Sequence, residues 1–436
     1  MSIQRIIVGV VVLTLSALCW AQASVPASLP ATSAPAAAAA AAALPPGSID
    51  QHHRDMATQT LKRGVDFLVQ SQQAEGGWGF VTGKSHPALT AMALKVLMQA
   101  GFSADSPIVS KGFAAMMTWR QSDGGFYDPH EGNENYCTSL VVMTLAAAKR
   151  PQDEGMLRDA VKYLRSEQIV AGSKTPSGQE IAEGNAFIGG VSYGKHGRPD
   201  LSNLGMWMEA MHEAGVGGDD PAMQRALTFL KQVQNVKDDD TNPVFLAEPG
   251  FLKQEQAGAA QPKAGAESAA PVDKTVYDGG FIYAVNCKDG HFVRESQAGE
   301  AETGGLRSYG SMTYSGFKSM LYANLRPGDK RVQAALDWIR GHWQLDANPN
   351  MPESMSRQGL YYYYQVFAKA LRVWGESVIV DSQGFGHNWR HELVEHLAKE
   401  QQADGSWTNA ADRWMESNPV LVTCYACMAL QDALAQ

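Results

Sequence analysis

The chain has 436 residues, of which 44% are hydrophobic and 19% charged, an ordinary globular balance that excludes a disordered or fibrous protein. With 36 Lys and Arg against 45 Asp and Glu, the formal net charge is −9. That sign excludes long-range attraction to a nucleic-acid backbone as the basis of function.

In chain order, residues 1–23 read as a cleavable secretory signal: Arg5, an apolar run from Ile6 to Leu18, then Ala21-Gln22-Ala23 as a small-x-small cleavage site. Leu18 before Cys19 argues against a lipoprotein signal, and the run is too short to span a bilayer. An exported protein, periplasmic or extracellular, with no transmembrane anchor is expected. Residues 24–49 are an Ala/Pro-rich linker with eight consecutive alanines at 36–43. The globular part is predicted over 50–436, interrupted by a biased, aperiodic insertion at about 237–278.

The globular part repeats. The pairs Phe67-Leu68, Ala115-Met116, Tyr163-Leu164, Phe229-Leu230, Trp338-Ile339 and His396-Leu397 each sit in an amphipathic helical stretch. Several are followed by a turn that ends in an aromatic: Glu75-Gly76-Gly77-Trp78, Asp123-Gly124-Gly125-Phe126, Asp278-Gly279-Gly280-Phe281 and Asp404-Gly405-Ser406-Trp407. A nearly all-apolar helix then begins, such as Leu89–Met98 or Ser139–Ala146, which must be surrounded by protein. Trp78 precedes Thr90, and Phe126 precedes Thr138, by the same 12 residues. Six such units predict an all-α protein of six helical hairpins, with wet first helices outside and apolar second helices inside. The final unit, through Val422–Leu430, is as apolar as the middle ones, so the ring should close into an α/α toroid rather than end as an open solenoid.

Gly64-x-x-Phe67-Leu68-x-x-x-Gln72-x-x-Glu75-Gly76-x-Trp78 resembles the QW motif of squalene and oxidosqualene cyclases, and His396-Leu397-x-x-x-Gln401-x-x-Asp404-Gly405-x-Trp407 is a second copy. Over nearly all of 50–436 the chain resembles the prenyltransferase and squalene-oxidase repeat proteins, including squalene-hopene-cyclase-like terpenoid cyclases and protein prenyltransferases. The resemblance implies an α/α toroid in which the Gln amide and the aromatic lock an outer helix to the start of an inner one. The catalytic motifs do not carry over. Hopene-type cyclases place Asp-x-Asp-Asp-Thr at an inner-helix start, whereas here Asn135-Tyr136-Cys137-Thr138 and Gly310-Ser311-Met312-Thr313 occupy such starts. Asp238-Asp239-Asp240-Thr241 runs into Asn242-Pro243 inside the insertion, where no inner helix starts. In place of the Asp, Cys and His zinc ligands of the prenyltransferases stand Gln358, Leu360 and Val422, which cannot bind zinc.

No cofactor and no metal are expected. His391 and His396 are five apart, the wrong helical spacing for a joint ligand pair, and His387 and His391 at i,i+4 read as capping or surface groups. Cys424 and Cys427 read as packing thiols, with a disulfide left open.

What remains is a rim. If the turns join outer-helix ends to inner-helix starts, six inner N-termini converge at one end and favour an anionic or electron-rich group there. The candidate ligand-binding residues are His86, Tyr136, Arg307, Tyr309, Tyr361, Tyr364, Arg413 and Trp414, and the candidate acids are Glu134 and Asp412. Together they point to a terpene-cyclase-like protein that binds an elongated apolar, polyprenyl-type ligand, and if it is an enzyme, to a cyclase of the isomerase or lyase kind that lacks the usual acid motif. The isoprenoid or lipid-like ligand is the expected partner. A second reading is a non-catalytic envelope toroid that binds protein or glycan at its rim.

Overall fold

A computed structural model describes residues 48–80, 83–236, 277–288, 291–302 and 304–435. The signal segment, nearly all of the linker and nearly all of the 237–278 insertion lie outside these residues. The described chain forms twelve α-helices that alternate between two rings. The outer helices are α1 (Gln51–Gln70), α3 (Pro107–Met117), α5 (Glu154–Glu167), α7 (Pro221–Val233), α9 (Lys330–Gly341) and α11 (Trp389–Glu400). The inner ones are α2 (Pro87–Gln99), α4 (Glu134–Ala148), α6 (Leu201–Glu213), α8 (Gly310–Tyr322), α10 (Leu360–Trp374) and α12 (Pro419–Leu434). Each inner helix packs against the next, and α12 packs back against α2, so the ring is closed and the fold is an α/α toroid of six hairpins.

The division of labour follows composition. Ala91, Leu94, Val141, Leu145, Phe317 and Met428 of the inner helices are buried. On the outer helices only one stripe is buried, and its anchor is the second residue of each repeated pair: Leu68, Met116, Leu164, Leu230, Ile339 and Leu397. Lys62 and Arg158 stay exposed and Lys231 half-exposed.

The turns act as locks between neighbouring hairpins. Gln72 Nε2 donates to the carbonyls of Gly76 in its own turn (2.7 Å) and Ile108 at the start of α3 (2.8 Å). Trp78 Nε1 reaches back to Leu68 O (2.7 Å), while its backbone N–H donates to Thr90 Oγ1 (3.0 Å) in α2. At the other end of the chain, Gln401 Nε2 holds Gly405 O and Thr60 O of α1, both at 2.9 Å, and Trp407 Nε1 holds Leu397 O. The last lock therefore grips the first helix. Gly76 and Gly405, at φ of +104° and +91°, lie against the carbonyls of Lys111 and Arg63 so closely that a Cβ would come within 2.6 and 2.4 Å. Only glycine satisfies both the backbone and the approach.

Two features were not expected. Antiparallel hairpins β1 (Ala284–Lys288) with β2 (His291–Glu295), and β3 (Val378–Val380) with β4 (Gly386–Asn388), interrupt the all-α pattern. Their runs are too short to register against helical periodicity. The fifth hairpin also lacks a Gly-Gly-aromatic turn; α10 is instead reached through a longer segment ending at Gly359, which stands at φ +65°. Cys424 and Cys427 are buried and not disulfide-bonded.

Candidate functional site

The locks dictate which residues face the axis. Thr90 points at the Trp78 backbone, and two residues along a helix is a rotation of about 200°. Positions two before and two after that threonine therefore lie on the opposite face. Ala88 and Met92, Tyr136 and Leu140 around Thr138, and Leu421 and Tyr425 around Thr423 are such pairs, and all six line a single cavity of about 480 Å³. With Ser202, Ser311, Met312 and Tyr362, every inner helix contributes its N-terminal turns to that wall. Phe80, Tyr193, Tyr283, Tyr309 and Trp414 complete it.

Eight of the 24 residues of the wall are Phe, Tyr or Trp. Tyr136 stacks with Tyr193 at 6.1 Å and hydrogen-bonds Ser202 at 2.8 Å, Tyr362 meets Tyr425 edge-on at 5.9 Å, and the Tyr193 and Tyr283 hydroxyls are 3.3 Å apart. Burial pushes the phenols of Tyr136 and Tyr309 far above their usual range, so they are neutral donors. Polar groups are few and placed at the edges. His86 caps α2, with Nδ1 accepting from Ala88 N–H (3.2 Å) and Nε2 lying 3.0 Å from Glu131. Burial lowers its pKa, a shift that Glu131 only partly offsets. Arg413 covers the Trp414 ring at 5.0 Å and donates to Gln297.

Two buried acids sit at this end of the ring. Glu416 Oε1 accepts the Tyr361 and Tyr362 N–H groups at the start of α10 (3.0 and 2.9 Å), and Oε2 accepts from Asn409 (2.7 Å). Burial pushes its pKa up against those hydrogen bonds. Asp200 caps α6 by accepting Asn203 N–H (2.9 Å), and the Tyr283 hydroxyl also bonds it. Its burial is complete and raises its pKa to about 6.

Seven residues further along the same stripe, two helical turns or about 10 Å, the chemistry changes. Ala88, Ser202, Ser311, Tyr362 and Tyr425 are followed at that interval by Lys95, Glu209, Lys318, Lys369 and Asp432, all of them buried. Lys318 pairs with Glu209, Lys369 reaches Glu209 (3.5 Å), Glu213 (3.1 Å) and Asp432 (3.5 Å), and Lys95 bonds Glu213 (2.6 Å). Burial would raise the Glu209 pKa, but the three surrounding ammoniums hold it well below the usual carboxylate range. An ionised cluster thus underlies the aromatic chamber.

Of the residues singled out in the sequence, His86, Tyr136, Tyr309, Arg413 and Trp414 line the cavity. Tyr361 and Tyr364 do not. Both are in the core, Tyr364 donating to Leu345 O (2.7 Å) with its hydroxyl 2.7 Å from His396, while Tyr362 takes the cavity position. Arg307 lies outside the wall and bonds the Glu300 carbonyl. Glu134 is half-buried, with an oxygen near Gly194, and is not part of the wall. Asp412 is exposed, and hydrogen bonds from Ser417 hold its carboxyl below the usual range, so it is ionised. Sequence reasoning missed Ser202, Tyr362, Tyr425 and Glu416; the threonine register would have found Tyr425. Tyr193, Tyr283 and Asp200 come from connecting segments and their junction with α6, where no periodic signal exists.

No family model matches the chain. A squalene–hopene cyclase from Bradyrhizobium diazoefficiens is 23% identical over 209 residues, 42% of this chain and 31% of that enzyme, so the chain spans about a third of the curated relative's length. Among solved structures, a type II terpene cyclase from Scytonema, in complex with geranylgeranyl dihydroxybenzoate, superposes with a TM-score of 0.51 at 12% identity, covering 88% of this chain and 99% of that one. A protein from Actinoplanes gives 0.50 at 16% identity over 87% and 100%. These likenesses are of fold: a terpenoid-cyclase-like toroid.

Proposed function

We propose that this is an exported terpene-cyclase-like protein that takes an elongated apolar ligand of polyprenyl type into the chamber at the inner-helix N-termini. The observation that carries the reading is the wall to which all six inner helices contribute, lined by Tyr136, Tyr362 and Tyr425 from those helices and by aromatics of the connecting segments, around about 480 Å³, a size and composition suited to burying a small apolar molecule. The ionised cluster below limits the depth, so an extended chain would have to fold inside. The hydrogen bonds of the Gln72–Trp78 and Gln401–Trp407 locks support a QW reading, and the fold likeness points the same way. Export rests on the signal-like residues 1–23. Acid-initiated cyclisation is the enzymatic extension of the reading, and its proton would come from Glu416 on the wall or Asp200 behind Tyr283, not from the ionised Asp412.

The test is to incubate purified protein with a total lipid extract, wash it and identify retained molecules by mass spectrometry. The expected result is enrichment of an isoprenoid lipid, lost in Tyr362→Trp, which fills the chamber. Retention of no lipid by the parent, with capture of a glycan or a protein instead, would replace this reading by the rim-binding one.

A further inference from the structure

The chamber is lined unevenly, and one side of it carries donors that the protein itself leaves unanswered. Toward α2 and α4 the wall is mostly apolar, with Phe80, Leu89, Met92, Cys137 and Leu140. Four of the six tyrosines have their hydroxyls occupied. Tyr136 bonds Ser202 (2.8 Å), Ser202 also reaches the Tyr362 hydroxyl (3.5 Å), and Tyr193 and Tyr283 hold each other (3.3 Å). Among the described residues, the hydroxyls of Tyr309 and Tyr425 have no hydrogen-bond partner, yet neither oxygen is sealed from the cavity. Tyr309 stands at the start of α8 with only 2% of its surface exposed, and its side chain does not cap the helix. Burial keeps both phenols protonated, so each presents an O–H.

Arg413, exposed on the same side of the wall, adds a charge that acts on the Tyr309 phenol. Its own contacts are two neutral amide oxygens, Gln358 Oε1 (3.4 Å) and Gln297 Oε1, and the ring of Trp414; among the described residues no carboxylate pairs with it. The acids of the wall are engaged elsewhere, Glu416 by the Tyr361 and Tyr362 N–H groups and Asn409, and Glu131 by His86. A hydrocarbon entering the chamber would strip water from the Tyr309 hydroxyl and return no acceptor, a loss of about tenfold in affinity. Phenylalanine would serve such a ligand better. Resting on the polyprenyl-type reading above, we propose that the ligand is an amphiphile with an oxyanion head, carboxylate or phosphate, bound by the Tyr309 O–H and the Arg413 guanidinium. Its apolar tail fills the side toward α2 and α4, and Tyr425 offers a further O–H on the donor side. Hydrogen bonds to an ionised acceptor are about twice as strong as neutral ones, so the head decides both affinity and orientation.

The experiment compares four probes that share one tail, farnesene, farnesol, farnesoic acid and farnesyl phosphate, by equilibrium dialysis against the full-length protein at low and high salt. Farnesoic acid or farnesyl phosphate should bind about tenfold or more tighter than farnesol, with farnesene weakest, and the two charged arms show which head the site takes. High salt should weaken the charged probes alone, because Arg413 is exposed and its field is screened. Tyr309→Phe keeps the ring and Arg413→Gln alters an exposed side chain, so both variants should fold. Each should cut the preference for the charged head by about tenfold and leave farnesene bound as well as before or better. Farnesene or farnesol binding as tightly as the charged probes, or a preference that survives both substitutions, overturns the head site and leaves the polyprenyl-type reading standing. Binding of none of the four overturns both.

Discussion

Trp414 stands on Gly359, where a Cβ would meet the ring at 3.0 Å, and Arg413 lies over the ring. It is half-buried and lines the chamber, so it contributes more to a ligand than to the core. Trp414→Ala is expected to weaken ligand binding by about 1–3 kcal/mol through lost apolar contact, with a nearly unchanged thermal melt; binding and melting measured on one preparation separate the two roles. Glu167 poses the opposite case. Its side chain is almost wholly buried at the end of α5, beside the Tyr163 hydroxyl, which bonds it. Burial, opposed by Lys195 and reinforced by Glu134, raises its pKa to about 7. A carboxyl whose pKa is raised in the folded state stabilises fully below its unfolded pKa, and that stability is lost as pH rises through about 7. The cost of ionising it is about 3 kcal/mol above that pH. Glu167→Gln should therefore stabilise the protein in denaturant titrations at pH 8 and change little at pH 4.5; equal effects at both would show that the carboxylate reaches water. Side-chain orientation was the scale least legible in the sequence. The run Tyr361 to Tyr364 covers most of a helical circumference, and without the position of the turn lock nothing in it says that Tyr362, rather than Tyr361 or Tyr364, faces the axis.

At the scale of elements, the hairpins were legible because each lock is local. Gln72, Gly76 and Trp78 lie within seven residues and act largely on the helices they join, and the spacing to Thr90 fixes the inner helix. The fifth hairpin shows why the signal can fail: α10 has no such turn before it and is secured by Glu416, a residue 54 to 55 positions later that binds the Tyr361 and Tyr362 N–H groups. A long-range partner leaves no mark on local sequence. The same holds for the chamber, whose helical residues share a register while Tyr193 and Tyr283 arrive on segments without one. If the locks carry the hairpin junctions, Gln401→Ala should cost about 1–3 kcal/mol, since the Thr60 and Gly405 carbonyls each lose a donor. Denaturant unfolding checks this, and a cost near zero would mean that water replaces the amide and that packing of Trp407 alone holds the junction.

A closed ring differs from a stack of repeats in what the loss of one unit does. In an open solenoid each repeat meets only its neighbours, so removing the last costs one interface. Here α12 also packs on α2 and α1, and a chain ended before α11 should lose cooperative unfolding altogether rather than a sixth of its helix; circular dichroism with melting distinguishes these outcomes. The ion cluster on the axis couples the ring further, because Lys95, Glu209, Glu213, Lys318, Lys369 and Asp432 come from five of the six inner helices. Lys318 and Glu209 are nearly inaccessible, so neither charge has water to fall back on. Lys318→Met should therefore cost about 3–5 kcal/mol by leaving Glu209 short of a cation, whereas adding Glu209→Gln should recover much of the loss, since a neutral pair removes the buried charge as well. The double-mutant cycle is read by urea unfolding. A loss below about 1 kcal/mol for Lys318→Met would place the pair in the range of solvated surface ions. The axis below Tyr362 and Tyr425 would then be wet, and the aromatic chamber would be the mouth of a channel through the ring rather than a closed pocket.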